Sequence, residues 1–207
     1  MMLRTVAVSV IIGTFLIGMY YVVAATYVQP IQQDKLAYAL DDLKPGLSYE
    51  QLIALDEEER YYLIQQSPSS TRQLLLQEAT NHPSFIAESK DEIKKASSSD
   101  ELRMLKLTPI AGIKGFTAQG TAAIYGSGDT TFLRLEDFSI TSGIDQHVYL
   151  TKDASITTGT DLGVLKATQG EQNYDITGID TKVYDIMVIY SKSFDIYYAH
   201  ARFLQIE

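Results

Sequence analysis

After Pro109 the pattern switches to a period of two, and runs rich in Val, Ile, Thr, Tyr and Phe are cut at short intervals by Gly or Asp. A period of two puts alternate side chains on opposite faces of an extended chain, so this stretch buries a face only as strands. The predicted strands are Gly115–Ile124, Thr131–Glu136, Phe138–Thr141, His147–Thr151, Leu162–Thr168, Tyr174–Thr177, Val183–Ser191 and Phe194–Phe203, with a turn at Gly126-Ser127-Gly128-Asp129. About eight short strands in about one hundred residues fit an antiparallel β-sandwich or a partly closed barrel. The chain is therefore expected to be mainly β, with a C-terminal β domain at residues 110–207.

Residues 31–109 differ. Leu, Gln, Glu and Ala recur at helical spacing, which predicts a helical stalk or spacer. Ser48 with Gln51 is a capping-box pattern that opens a helix over Tyr49–Gln66, and Ser67-Pro68 closes it. A second helix is predicted over Ser70–Ala79 and a third over Ser84–Ala96, with Asn81-His82-Pro83 as the break and Ser97–Ser99 as a short hinge. The run Asp56-Glu57-Glu58-Glu59 is expected to be a solvated face, because consecutive helical residues point in different directions.

Val6–Val28 is an uncharged run of 23 residues. At about 1.5 Å per residue it covers a hydrocarbon core of about 30 Å, which predicts a transmembrane anchor in residues 1–30. Arg4 before the run and Tyr20, Tyr21 and Tyr27 at its far end fit an N-terminus inside and the C-terminal domain extracytoplasmic. A cleaved signal peptide is the alternative, with Val23 and Ala25 at the small-residue positions. The expected partners are membrane lipid through residues 6–28 and a protein outside the membrane.

The chain carries 17 basic and 26 acidic groups, a net charge of −9, which argues against nucleic acid as a partner. It has no cysteine, so disulfides, thiolate metal sites and cysteine nucleophiles are excluded. Neither G-x-S-x-G, H-E-x-x-H, a phosphate-binding glycine loop nor a dinucleotide-binding glycine pattern occurs, so no enzyme activity is expected. Asp145, His147 and Tyr149 lie at i, i+2 and i+4 and would share one face of a regular strand. They are candidates for contacting a ligand, although two ligating types are too few for a transition metal unless His200 joins them. The polar run Gln169–Tyr174 is predicted to be a turn, with Gln172 and Asn173 as further candidates. Neither a metal nor a cofactor is expected from these residues.

Four segments in order carry a family resemblance. They are Gly143-Ile144-Asp145-Gln146-His147-Val148-Tyr149-Leu150, then Leu162-Gly163-Val164-Leu165-Lys166, then Gln169-Gly170-Glu171-Gln172-Asn173-Tyr174, and Val188-Ile189-Tyr190-Ser191-Lys192-Ser193-Phe194 with Ala199 and Ala201. Over about residues 112–204 the chain resembles the DM-thirteen domain family. The resemblance implies an extracytoplasmic β domain and a role in electron transfer through a characteristic cysteine. Ser191 stands at the matching position, and a hydroxyl neither cycles through a disulfide nor binds soft metals as a thiolate does. The chain is accordingly expected to be a membrane-anchored, non-catalytic binding or interaction module, with Ser191 added to the candidate ligand contacts. One alternative is a redox accessory protein using His147 and His200, and a second is an accessory subunit of a larger membrane complex.

Overall fold

A computed structural model describes residues 35–204 and Met19. The expected anchor, apart from Met19, lies outside the described residues. Among those described, no helix is long and apolar enough to cross a membrane. The chain divides into two units. One combines the described residues before Leu55 with Ser67–Leu75, and the other combines Leu55–Gln66 with everything from Leu76 onward.

The first unit is helical. Residues 35–43 form α1, Tyr49–Ala54 form α2, and the first part of α4 (Ser69–Ala79) completes it. Leu36, Leu40, Leu47, Leu52 and Leu75 are buried. The capping box forms as predicted: the Gln51 N–H donates to Ser48 Oγ at 3.2 Å and the Ser48 N–H to Gln51 Oε1 at 2.9 Å. The predicted helix over Tyr49–Gln66 is two helices, because Asp56 caps a new start. Its Oδ1 accepts from the Glu59 N–H at 2.9 Å and opens α3, Glu57–Gln66.

The second unit is built on two five-stranded sheets packed face to face. Its strands are β1 (Phe85–Ala87), β2 (Arg103–Pro109), β3 (Ala111–Gly112), β4 (Ala118–Ser127), β5 (Thr130–Ile140), β6 (Gln146–Thr151), β7 (Thr160–Val164), β8 (Gln169–Asp175), β9 (Ile186–Ser191) and β10 (Ile196–Arg202). One sheet has the order β1-β8-β5-β4-β2 and the other β3-β10-β9-β6-β7. Leu133, Leu135 and Phe138 from the first meet Val148, Leu150, Met187 and Ile189 from the second in one core. This is a sandwich rather than a closed barrel. The pairs are antiparallel apart from β1 with β8.

The structure departs from expectation in several places. The stretch predicted as a third helix is β1 followed by α5 (Lys90–Ser97), which is capped by Ser89. The segment extends because Ser84 exchanges hydrogen bonds with Thr168 and the Glu88 N–H donates to Glu171 O at 2.9 Å. Ser97–Ser99 is a helix end and not a hinge: Ser98 takes the left-handed cap and Ser97 Oγ lies 2.6 Å from Ser127 Oγ. The two strands predicted over 131–141 are the single strand β5, kinked at Asp137 with a φ of 48°. Gly120 lies across from this bulge, where a Cβ would sit 2.7 Å from the Asp137 carbonyl oxygen. The predicted Gly126–Asp129 turn is present as the two-residue loop Gly128-Asp129 between paired Ser127 and Thr130.

The run Gln169–Tyr174, predicted as a turn, belongs to strand β8 between β1 and β5. Its one buried polar side chain, Gln172, is fully matched. Gln172 is fully buried, with Oε1 accepting from the Lys166 N–H at 3.1 Å and the Tyr174 hydroxyl at 2.8 Å, while Nε2 donates to Ala167 O at 2.6 Å.

Candidate functional site

Strand β6 is buried along its whole length on both faces. Val148 and Leu150 point into the sandwich core, which leaves His147 and Tyr149 on the opposite face. Tyr190 of β9 pairs directly with His147, and Tyr149, Ile186, Val188 and Tyr190 form a second apolar cluster. Helix α3 belongs to the same unit and contributes Glu57, Glu58, Tyr61 and Tyr62 to a cleft of about 520 Å³. The sheet side of that cleft is formed by Tyr149, Tyr190 and Lys192. The rings of Tyr61 and Tyr62 meet edge to face at 5.7 Å between centroids, and those of Tyr149 and Tyr190 at 6.2 Å.

At one end of the cleft four side chains close a ring. Lys192 Nζ lies 3.0 Å from Glu57 Oε1 and 2.9 Å from Asp161 Oδ2, and His147 Nδ1 lies 3.1 Å from both Asp161 oxygens. A proton on Nδ1 would be donated to Asp161. His147 Nε2 lies 3.4 Å from Glu57 Oε1 and is a buried polar atom with no hydrogen-bond partner. The His147 side chain is only 4% exposed.

Asp145 does not continue the strand, since its φ of 52° is left-handed. Its carboxylate takes Arg60 Nε at 2.7 Å and Nη2 at 2.5 Å, with the Ser193 hydroxyl as a third donor. This pair joins α3 to the loop before β6. Charge partners shift the titrations nearby. Burial acts to raise Asp161, but hydrogen bonds from Lys192, the Gly163 N–H and His147 outweigh it and hold its carboxyl at about 2. Burial, then the Asp161 charge, push the Tyr149 phenol up to about 12, so it stays neutral. Burial acts to lower Lys192, and its bonds to Asp161 and Glu57 override that and raise it.

A depressed carboxyl stabilises the folded chain above its ordinary value of 3.8, and this contribution is lost as pH falls toward about 2. Acid titration of the native chain followed by circular dichroism is expected to show a loss of stability in that window. The same titration of Asp161→Asn should show a smaller loss, the remainder coming from the other depressed carboxyls, Glu136 and Asp153. Matching curves would mean that the ring adds nothing to folding.

The six candidates separate into three places. Asp145, His147 and Tyr149 gather beside the cleft. Gln172 and Asn173 lie on β8 in the other sheet, where Asn173 accepts from Arg134 Nη1 at 2.7 Å and donates to Ser89 O at 3.1 Å. Ser191 ends β9 fully buried, donating its hydroxyl to Ile144 O at 2.6 Å. His200 is exposed on β10, paired with Val188. It stands two strands and two residues from His147, about 12 Å by sheet geometry, so the two imidazoles do not meet at one ion. Among the described residues no group of three or more His, Asp or Glu side chains is placed to hold a metal.

Glu57, Tyr61, Tyr62, Asp161 and Lys192 are not among the sequence candidates. Glu58 and Glu59 are exposed as predicted, whereas Glu57 is bonded to Lys192 and stands 3.4 Å from His147 Nε2. Asp161 carried one legible signal, an Asx turn before Gly163, whose N–H donates to Asp161 Oδ1 at 2.8 Å.

Burial at Ser191 leads to a second expected result. A Ser191→Cys variant places its thiol where solvent does not reach, and burial in apolar surroundings suppresses thiolate formation. Its sulfur should react with a disulfide reagent only when the chain unfolds, and rapid labelling of the native variant would contradict the closed position.

No curated protein and no solved structure matches the chain. Residues 114–203, which hold strands β4 to β10, match the family model described as Electron transfer DM13, and so carry the domain that the four sequence motifs resemble.

Proposed function

We propose that this chain is a non-catalytic binding module, held outside the membrane by residues 6–28 with its N-terminus inside. The observation that supports it is the tyrosine-lined cleft between α3 and the outer face of the second sheet, with a charged ring fixed at one end. Small-ligand sites are concave and mostly apolar, with a few positioned polar groups, and this cleft has that composition. The nearby hydroxyl, Ser193, donates to a carboxylate already engaged by Arg60, an arrangement that orients the loop and leaves no free base to activate it. Protein-observed NMR with the tyrosine-labelled full chain in a maltoside detergent tests this proposal. Bound compounds should perturb the ring resonances of Tyr61, Tyr62, Tyr149 and Tyr190, and a diverse set of polar, aromatic and cationic compounds without such an effect would overturn it. For the topology, Edman sequencing should find the original N-terminus in the membrane fraction, while a mature start at Thr26 would replace the anchor with a signal peptide.

The family's electron-transfer description favours a second reading on one observation. Tyr149, Tyr190 and Tyr197 form a run of rings with centroid separations of 6.2 and 4.8 Å, and the Tyr190 hydroxyl donates to Asp195. If this run carries an electron, a one-electron oxidant should produce a tyrosyl radical by electron paramagnetic resonance that Tyr190→Phe removes. The binding proposal expects no such signal and no reversible electrode wave.

A further inference from the structure

The cleft has a charge imbalance. Glu57, Glu58 and Asp161 bring three carboxylates to it and its end wall, against the single ammonium of Lys192. The nearby Arg60 offers no compensation, because Asp145 holds it through two contacts. Behind Glu57 lies the buried His147 Nε2, 3.4 Å away and without a hydrogen-bond partner. An anion would meet repulsion here, and a neutral ligand would leave the excess charge unanswered. Apart from Ile156 the rest of the wall is aromatic, and ring faces attract cations within about 6 Å of their centroids. The chain uses the same contact elsewhere, with Lys90 Nζ 4.9 Å from the Tyr125 centroid and Lys166 Nζ 5.2 Å from that of Tyr174.

The type of cation is set by desolvation. A divalent metal needs several oxygen ligands, whereas the walls offer mostly ring carbon and Glu57 is already bonded to Lys192. A primary ammonium would lose N–H bonds to water that ring faces do not replace. A fully alkylated ammonium has no N–H to satisfy and dehydrates against aromatic carbon with little loss. We propose that the cleft between α3 and strands β6 and β9 binds a quaternary ammonium group, with Tyr62 and Tyr190 as its ring walls and Glu58 as its counter-charge. This assignment rests on the ligand-cleft reading and specifies its occupant.

The test uses the full chain in maltoside, choline chloride as probe, and 3,3-dimethyl-1-butanol as its neutral isostere. Choline should shift the tyrosine ring resonances, and the isostere should bind at least about fivefold more weakly. Tyr62 is 53% exposed and Glu58 is exposed, so their variants should fold normally, which circular dichroism verifies. Tyr62→Leu should weaken choline about fivefold or more, Tyr62→Phe should retain it, and Glu58→Gln should weaken it by a smaller factor. Displacement of choline by phosphatidylcholine vesicles, but not by phosphatidylglycerol vesicles, would identify a lipid headgroup as the source. No displacement by either would identify a free solute, and both results support the site. Equal affinity for choline and its isostere, mapped to the same rings, would overturn the cation assignment and leave the ligand cleft standing. Choline binding that ignores Tyr62→Leu and Glu58→Gln would place the site elsewhere and overturn the proposal. Failure of both probes to shift any of these rings would overturn the cation assignment, and the broader compound set then decides the ligand cleft separately.

Discussion

A fragment of residues 110–207 is expected to lose the cooperative unfolding that a fragment of residues 84–207 keeps. The difference between them is β1, α5 and β2. Strand β2 pairs along β4 from Arg103 with Gly126 to Pro109 with Thr121, and Thr108 Oγ1 reaches Arg202 O at 2.9 Å in the other sheet. Without β2, the backbone of Ala122, Ala123 and Ile124, now fully buried, becomes a bare edge with unpaired N–H and C=O groups. Without β1 and the start of α5, the other edge opens as well, and Arg134 loses the Glu88 carbonyl. Near-ultraviolet circular dichroism during heating provides the comparison. Equal midpoints for the two fragments would mean that the segment before Pro109 is an appendage and that the β domain starts at residue 110.

Arg134→Ala is expected to destabilise the full chain by about 1–3 kcal/mol, the usual cost of leaving buried hydrogen-bonding groups without their partner. The side chain is 3% exposed and points away from the sandwich core into a polar layer under β1 and α5. Its Nε donates to Glu136 at 3.0 Å, its Nη1 to Glu88 O at 2.8 Å and Asn173 at 2.7 Å, and its Nη2 to Glu171. Truncation leaves the Glu88 carbonyl and the Asn173 amide oxygen without that donor. Lysine should recover less than half, because an ammonium cannot present the planar fork that spans these acceptors. Urea unfolding of the native chain, Arg134→Ala and Arg134→Lys measures this. A loss under about 1 kcal/mol would class the network with ordinary surface pairs.

Periodicity is a sound guide wherever one face of an element is apolar. The alternation after Pro109 identifies β6 and β10 within one or two residues and β9 within three, and Ser48 with Gln51 identifies the start of α2. It fails at β8 because tertiary partners satisfy polar side chains that a local pattern assigns to a turn: Gln172 bonds the Lys166 N–H, Ala167 O and the Tyr174 hydroxyl inside the sandwich, while Asn173 on the other face bonds Arg134 and Ser89 O. It fails at β1 because that strand is held by pairing with β8, a long-range partner. The single helix expected over Tyr49–Gln66 fails on a neighbouring ground, because Asp56 serves as well for a cap as for a solvent face.

The candidate site shows the same division. Local spacing is enough to bring His147 and Tyr149 onto one face, since that is a consequence of strand geometry alone. The absence of cysteine likewise removes thiol chemistry at Ser191 at the level of composition. The partners of His147 require the fold: Asp161 lies 14 residues away, and Glu57 comes from a helix 90 positions earlier in the chain. Side-chain period reports which face a residue occupies on its own element, whereas a binding site depends on which elements meet. That meeting is set by long-range packing, here of α3 over the outer face of the second sheet, and no local pattern of residues encodes it.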